Sequence, residues 1–156
     1  MLAHGVAPHD DFKHGLALAL RERWPAMYRD FRHHCKTGSP KPGDVWMWSG
    51  IGPSGPVRIA TLLTQEPPGH DGAHAGRAHV EWVNQALRHL HHLATEEGFE
   101  SLALPRLATG VGGLDWAEVR PLIEAHLGKL GVPVWVYTTY RAGVKATEAT
   151  AAAVRR

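Results

Sequence analysis

The chain has 156 residues and a formal charge of +2, its basic residues are dispersed rather than gathered in one stripe, and Cys35 is its single cysteine. A domain of that length can bury about two thirds of its unfolded surface. One cysteine excludes an intrachain disulfide and a thiolate metal cluster, dispersed charge gives no argument for direct nucleic-acid binding, and the lack of a leader or bilayer-length apolar run predicts a soluble cytoplasmic protein without a membrane partner.

The chain opens on LAHGV, a short buried strand with almost no lead-in. APHDDFKHG follows as a polar loop, and the leucines of GLALALRERW suit a short helix. Pro25 permits a new helix start, with Met27, Phe31 and His34/Cys35 on one apolar face. VWMW and VRIATLL read as strands, joined through SGIGPSGP by a hairpin connection longer than the two-residue type. QEPPGHDGAHAGRA is the loosest stretch and reads as an exposed loop. From about Ala75 a long helix is expected, with Val80, Val83, Leu87, Leu90 and Ala94 on one face and Gly98 as its stop.

SLALP ends a further buried strand, and a helix through Val119, Leu122, Ile123 and Leu127 closes at Gly128. Asp115 is placed as its N-cap, with Glu118 as capping-box partner and Leu114 and Val119 as a hydrophobic staple. Pro133 to Thr138 reads as the last strand. Residues 1–142 form the expected domain, and 143–156 a tail that is a frayed helix or disordered. Strands separated by helices give a three-layer α/β/α domain on a mixed, mostly parallel sheet.

Ligands of open α/β sheets bind outside the carboxyl ends of strands, where loops lead into helices. Two loops qualify, Ala7 to Gly15 and Leu107 to Gly113. Glycines let a ligand approach the main chain, and amides at a helix start donate to phosphate oxygens, so the pattern favours a nucleotide or sugar phosphate. A glycine-rich turn chosen for its geometry alone explains the second loop equally well. Twelve histidines invite a metal hypothesis, but neither His70/His74/His79 nor His89/His91/His92 has zinc-ligand spacing, so no metal or other cofactor is expected. Trp46, Trp48, Trp82, Trp116 and Trp135 are expected to pack against the sheet.

AHGVAPHDDFKHGLALALRERWP, LTQEPP, SLALPRLATGVGGLDWAEVRPLIEAHL and VPVWVYTTY together resemble a macro domain, the ADP-ribose-binding module. Within that superfamily they are most similar to the branch of ADP-ribose protein glycohydrolases, antitoxins that remove ADP-ribose from DNA, and ADP-ribose phosphate phosphatases. The resemblance implies that Leu107, Ala108, Thr109, Gly110, Val111, Gly112 and Gly113 wrap the diphosphate and distal ribose. Phe12, Lys13 and Gly15 would close from the first loop, and Tyr140 would stack on adenine. The partner so implied is ADP-ribose, free or on a macromolecule.

Departures from the family pattern bear on mechanism. The branch usually carries a lysine after the strand matching VRIATLLT as its covalent nucleophile; Gln65 and Glu66 stand there, and neither forms a Schiff base. The acidic residue some members carry in the second loop aligns with Gly112, and the first-loop asparagine with Ala7 or Pro8. The usual first strand, ending in an adenine-binding aspartate, is expected to be lacking, which would expose a sheet edge unless the tail or another chain covers it. Main-chain recognition of ADP-ribose survives these losses. A hydrolase using His9, Asp10 or His14, and a scaffold without ligand that serves as an interaction protein, are the alternatives.

Overall fold

The computed structural model describes residues 1–137; Tyr140 and the expected tail lie outside the described residues. The elements run β1 Leu2–Val6, α1 Gly15–Arg23, α2 Pro25–Gly38, β2 Val45–Gly52, β3 Gly55–Leu63, α3 Val80–Glu97, β4 Leu102–Pro105, α4 Trp116–Leu127 and β5 Val134–Tyr137. The sheet order is β2-β3-β1-β4-β5, with β2 antiparallel to β3 and every other neighbour parallel. β1, read as a strand with no lead-in, is the central one.

Strand alternation sends successive side chains to opposite faces and so builds two apolar layers. Ala3, Ala60, Leu62, Leu102 and Leu104 pack with Val83, Leu87 and Leu90 of α3 and Val119, Ile123 and Leu127 of α4. Val6, Ile59 and Leu63 face the other way, against Leu20 of α1 and Met27, Phe31 and Cys35 of α2. Two helices on each face give the expected three layers. No described helix is long and apolar enough to cross a membrane.

Three local expectations change. Gly52 pairs directly with Gly55, so the β2–β3 connection is a two-residue turn at Pro53 and Ser54, not a longer one. Pairing simply continues through the glycine-rich strand ends. α3 begins at Val80 rather than near Ala75, because the preceding main chain is bonded elsewhere: Ala78 bridges Gln65, and the Glu66 amide donates to the Arg77 carbonyl. Asp115 is the N-cap of α4, yet its side chain makes no capping bond; the Glu118 amide donates to the Asp115 main-chain oxygen instead. Of the five tryptophans named above, Trp46, Trp48 and Trp116 pack against the apolar layers as expected, and all five stay partly exposed.

A candidate ligand cleft at the strand ends

β1 delivers the first loop, residues 7–14, to the carboxyl edge of the sheet. His9 and Phe12 adopt left-handed backbone there, at φ 61° and 52°, as does Gly15 at 57°. Side chains bearing Cβ resist that region, so something must hold them. Asp10 supplies part of the hold: its carboxylate accepts the Phe12 amide at 2.8 Å and the Ala7 amide at 3.4 Å. Burial pushes its pKa up, against the opposing pull of those two hydrogen bonds. Guanidinium groups supply the rest. Arg21 donates to the Asp11 carbonyl and Arg32 to the His9 carbonyl, each at 2.8 Å. Phe12 is fully buried, with its ring 4.9 Å from Phe31 in a stacked arrangement and 5.5 Å from His4 edge-on.

The second loop, between β4 and α4, is held by its own backbone. Gly113 donates to the Gly110 carbonyl at 3.1 Å and Leu114 to the Ala108 carbonyl at 3.0 Å, while Ala78 donates to Gly112 from the neighbouring arm. Gly112 is close-packed: a Cβ there would sit 2.7 Å from the Ala108 carbonyl oxygen and 2.8 Å from the Ala78 methyl. Among the described residues, the amides of Ala108, Thr109, Gly110, Val111 and Gly112 donate to no protein acceptor. The first turn of α1 adds more free amides, since His14 at its N-cap makes no side-chain capping bond and no acidic residue stands in that turn.

Between these loops lies a cleft of about 450 Å³. That volume falls in the roughly 300–1,000 Å³ range of small-molecule and cofactor sites. Asp10, Asp11, His14, Leu16 and Ala17 line one side, and Pro105 to Ala108 with Gly110 to Gly112 line the other. An arm between β3 and α3 forms the third wall through Gln65, Pro68 and Ala73–Ala75. Gln65 is buried and donates through Nε2 to the Gly76 carbonyl at 3.1 Å, so one of the two residues standing where the branch has lysine fastens the arm. His74 on that arm faces His14 across the mouth, ring centroids 5.7 Å apart.

His4 lies in the floor. It is 2% exposed, its Nε2 sits 2.8 Å from the Thr61 hydroxyl on β3, and its Nδ1 is buried without a partner. Burial lowers its pKa to about 4, so the ring is neutral at physiological pH. Thr64 Oγ1 is likewise buried without a partner.

The fold gathers Asp10, His14, Leu107, Ala108, Gly110, Val111 and Gly112 at one cleft. Thr109 and Gly113 belong to the same loop but do not line it, and the Thr109 hydroxyl donates to the Arg106 carbonyl. Phe12, expected near the ligand, is a core side chain instead; an aromatic in a polar loop was needed to pin that loop to α2. Gly15 opens α1 just outside the lining, while His9 and Lys13 face a second cleft. Sequence reasoning missed His4, Arg106 and the arm. His4 carries no pattern beyond its place in a strand, and nothing in a loose loop announces which cleft it will wall.

Fold and site define a class: a three-layer α/β/α domain with two main-chain-rich loops over the carboxyl ends of parallel strands. The chain belongs to the macro domain family, whose pattern matches residues 5–123. A DNA ADP-ribosyl glycohydrolase of Thermus aquaticus is 32% identical over 124 residues, which cover 79% of this chain and 33% of that relative. The chain thus spans a third of that curated relative's length. The macrodomain of Mycobacterium tuberculosis DarG superposes with a TM-score of 0.78 at 25% identity, over 89% of this chain and 88% of that one. Thermosipho africanus DarTG in complex with ADP-ribose superposes at 0.76 and 22% identity, over 92% of this chain and 39% of that one.

Proposed function

We propose that this macro domain recognises ADP-ribose, free or joined to a macromolecule, with main-chain amides as the chief donors. The observation that carries the reading is the run of unpaired amides from Ala108 to Gly112, in a loop that shares one cleft with the first turn of α1. A diphosphate presents acceptors to both sides, and amides at a helix start add dipole support. Each charge-assisted bond of this kind is worth about 1.5–3 kcal/mol. Gly110 and Gly112 line the cleft without side chains, and Tyr140, implied by the resemblance as the adenine partner, lies outside the described residues. The names of the relatives, and the structure of Thermosipho africanus DarTG in complex with ADP-ribose, support the same ligand.

The chain's own residues argue for binding over turnover. Gln65 is not a nucleophile and is engaged by the arm, and Gly112 offers no carboxylate. Asp10 spends both carboxylate oxygens on loop amides. Calorimetry with ADP-ribose and AMP tests the reading: saturable binding of ADP-ribose, much weaker for AMP, is the expected result. Absence of heat with ADP-ribose at millimolar concentration overturns it. Release of ADP-ribose from a modified protein or DNA, abolished by His14→Ala, would replace it with the hydrolase.

A further inference from the structure

Charge is unevenly placed around the cleft between the two loops. Its carboxylates, Asp10 and Asp11, both stand on the β1 side, and Arg106 on the β4 side is the single lysine or arginine among the lining residues. Asp11 has Lys13 beside it at 3.5 Å, but Lys13 lies outside this lining. A diphosphate entering here meets acidic groups in one wall, so the cation in the other bears on how well its charge is accepted. Pro105 pairs with Tyr137 at the end of β4, and Leu107 is buried. The main chain on both sides of Arg106 is thus fixed while its side chain stays exposed.

The Arg106 guanidinium lies over the ring of Trp116, 5.2 Å from its centre, and Trp116 at the start of α4 is itself packed against the core. A guanidinium over a ring is held through its face, and the N–H donors in its plane stay available to an anion. Arg106 has no ion pair among the described residues. The bond that joins it to the second loop runs from the Thr109 hydroxyl to its main-chain carbonyl, so a change of side chain leaves that bond in place. We propose that Arg106 is the residue through which this cleft reads ligand charge, its guanidinium meeting the diphosphate beside the free amides of Ala108 to Gly112. The inference rests on the function proposed above and adds a side chain to it. A planar fork suits two oxygens of a phosphate, and the run of free amides begins two residues further along the chain.

Calorimetry of the full chain with ADP-ribose, repeated from about 50 to about 300 mM salt, tests this on the parent, Arg106→Met and Arg106→Lys. Arg106→Met keeps an unbranched stem over Trp116 and removes the charge. It is expected to bind ADP-ribose about tenfold more weakly at low salt and to lose most of the parent's salt dependence. Arg106→Lys keeps the charge without the fork, so its affinity should fall between the two and its salt dependence should persist. Thermal melts of both variants should stay close to the parent's, because the side chain is exposed. Parent-like affinity and salt dependence in Arg106→Met overturn the inference while the proposed function stands. So does an equal loss in the two variants, or a loss in Arg106→Met that leaves the salt dependence unchanged, since either outcome assigns Arg106 to packing on Trp116. No binding of ADP-ribose by the parent overturns both.

Discussion

The two walls of the cleft are made by opposite means. On the β1 side, loop 7–14 owes its shape to side chains: Asp10 gathers amides, Arg21 and Arg32 gather carbonyls, and Phe12 plugs the core beneath. On the β4 side, residues 107–113 owe theirs to the near absence of side chains, with main-chain bonds closing the turn and glycine where a Cβ has no room. One wall is therefore sensitive to charge and protonation. The other is sensitive to bulk. A ligand gripped by amides needs the second wall intact and the first wall correctly placed.

The largest expected effect separates the walls by pH. His4 under the β1 side has its pKa lowered from 6.5 to about 4 by burial. The unfolded chain therefore binds more protons in that interval, and stability falls as pH drops from 6.5 toward 4. A shift of that size corresponds to roughly 3 kcal/mol. Urea midpoints measured across this interval should fall, and the His4 ring should titrate by NMR only near the bottom of it. A His4 ring that titrates near its ordinary value would break the contrast.

Bulk comes next. Gly112→Ala drives a methyl against a carbonyl oxygen and another methyl, neither at the end of a flexible chain. About 1–3 kcal/mol of strain is expected. ADP-ribose affinity should drop about tenfold or more as the amides are displaced. Calorimetry and thermal melts read both.

Asp10→Ala leaves the Phe12 and Ala7 amides without their acceptor, at a cost of about 1–3 kcal/mol. Asp10→Asn keeps an acceptor oxygen and should cost less. Because the raised pKa means the native state binds the extra proton, this carboxyl contributes more stability as pH falls just above the ordinary aspartate range, opposite in sign to His4. Comparing the pH dependence of Asp10→Asn with that of the parent isolates the term.

The smallest effect tests backbone alone. Gly15 has φ +57° and no atom within 4 Å of a Cβ, so Gly15→Ala should cost only about 1–2 kcal/mol, from conformation rather than collision. Gly15→Asn should recover part of it, since asparagine tolerates the left-handed region. Unfolding midpoints of the two variants decide whether strain or an unseen contact makes glycine necessary there.

Much of the molecule was open to reading along the chain. Apolar alternation and helical spacing placed the strands and helices, because those periods reflect local geometry. PRLATGVGGLDW announced a strand, a main-chain-rich turn and a helix start in one stretch, so the β4 wall was legible. Phe12 misled because its residue type, in a polar loop, says nothing about which neighbour will bury it. The start of α3 misled because main-chain bonds to residues 65 and 66 overrode helix propensity at Ala75 to Ala78.

Local order along the chain thus determined the layers, the mixed sheet and the glycine turn, all of which follow from spacing between near neighbours. Tertiary structure alone decided that Arg21 and Arg32 reach back to carbonyls of the first loop, that the arm walls the cleft, and that His4 lies beneath it with one nitrogen unpaired. The reason is physical: periodicity records which face of an element is apolar, whereas a charged or polar side chain takes its role from partners that only chain folding brings within bonding distance.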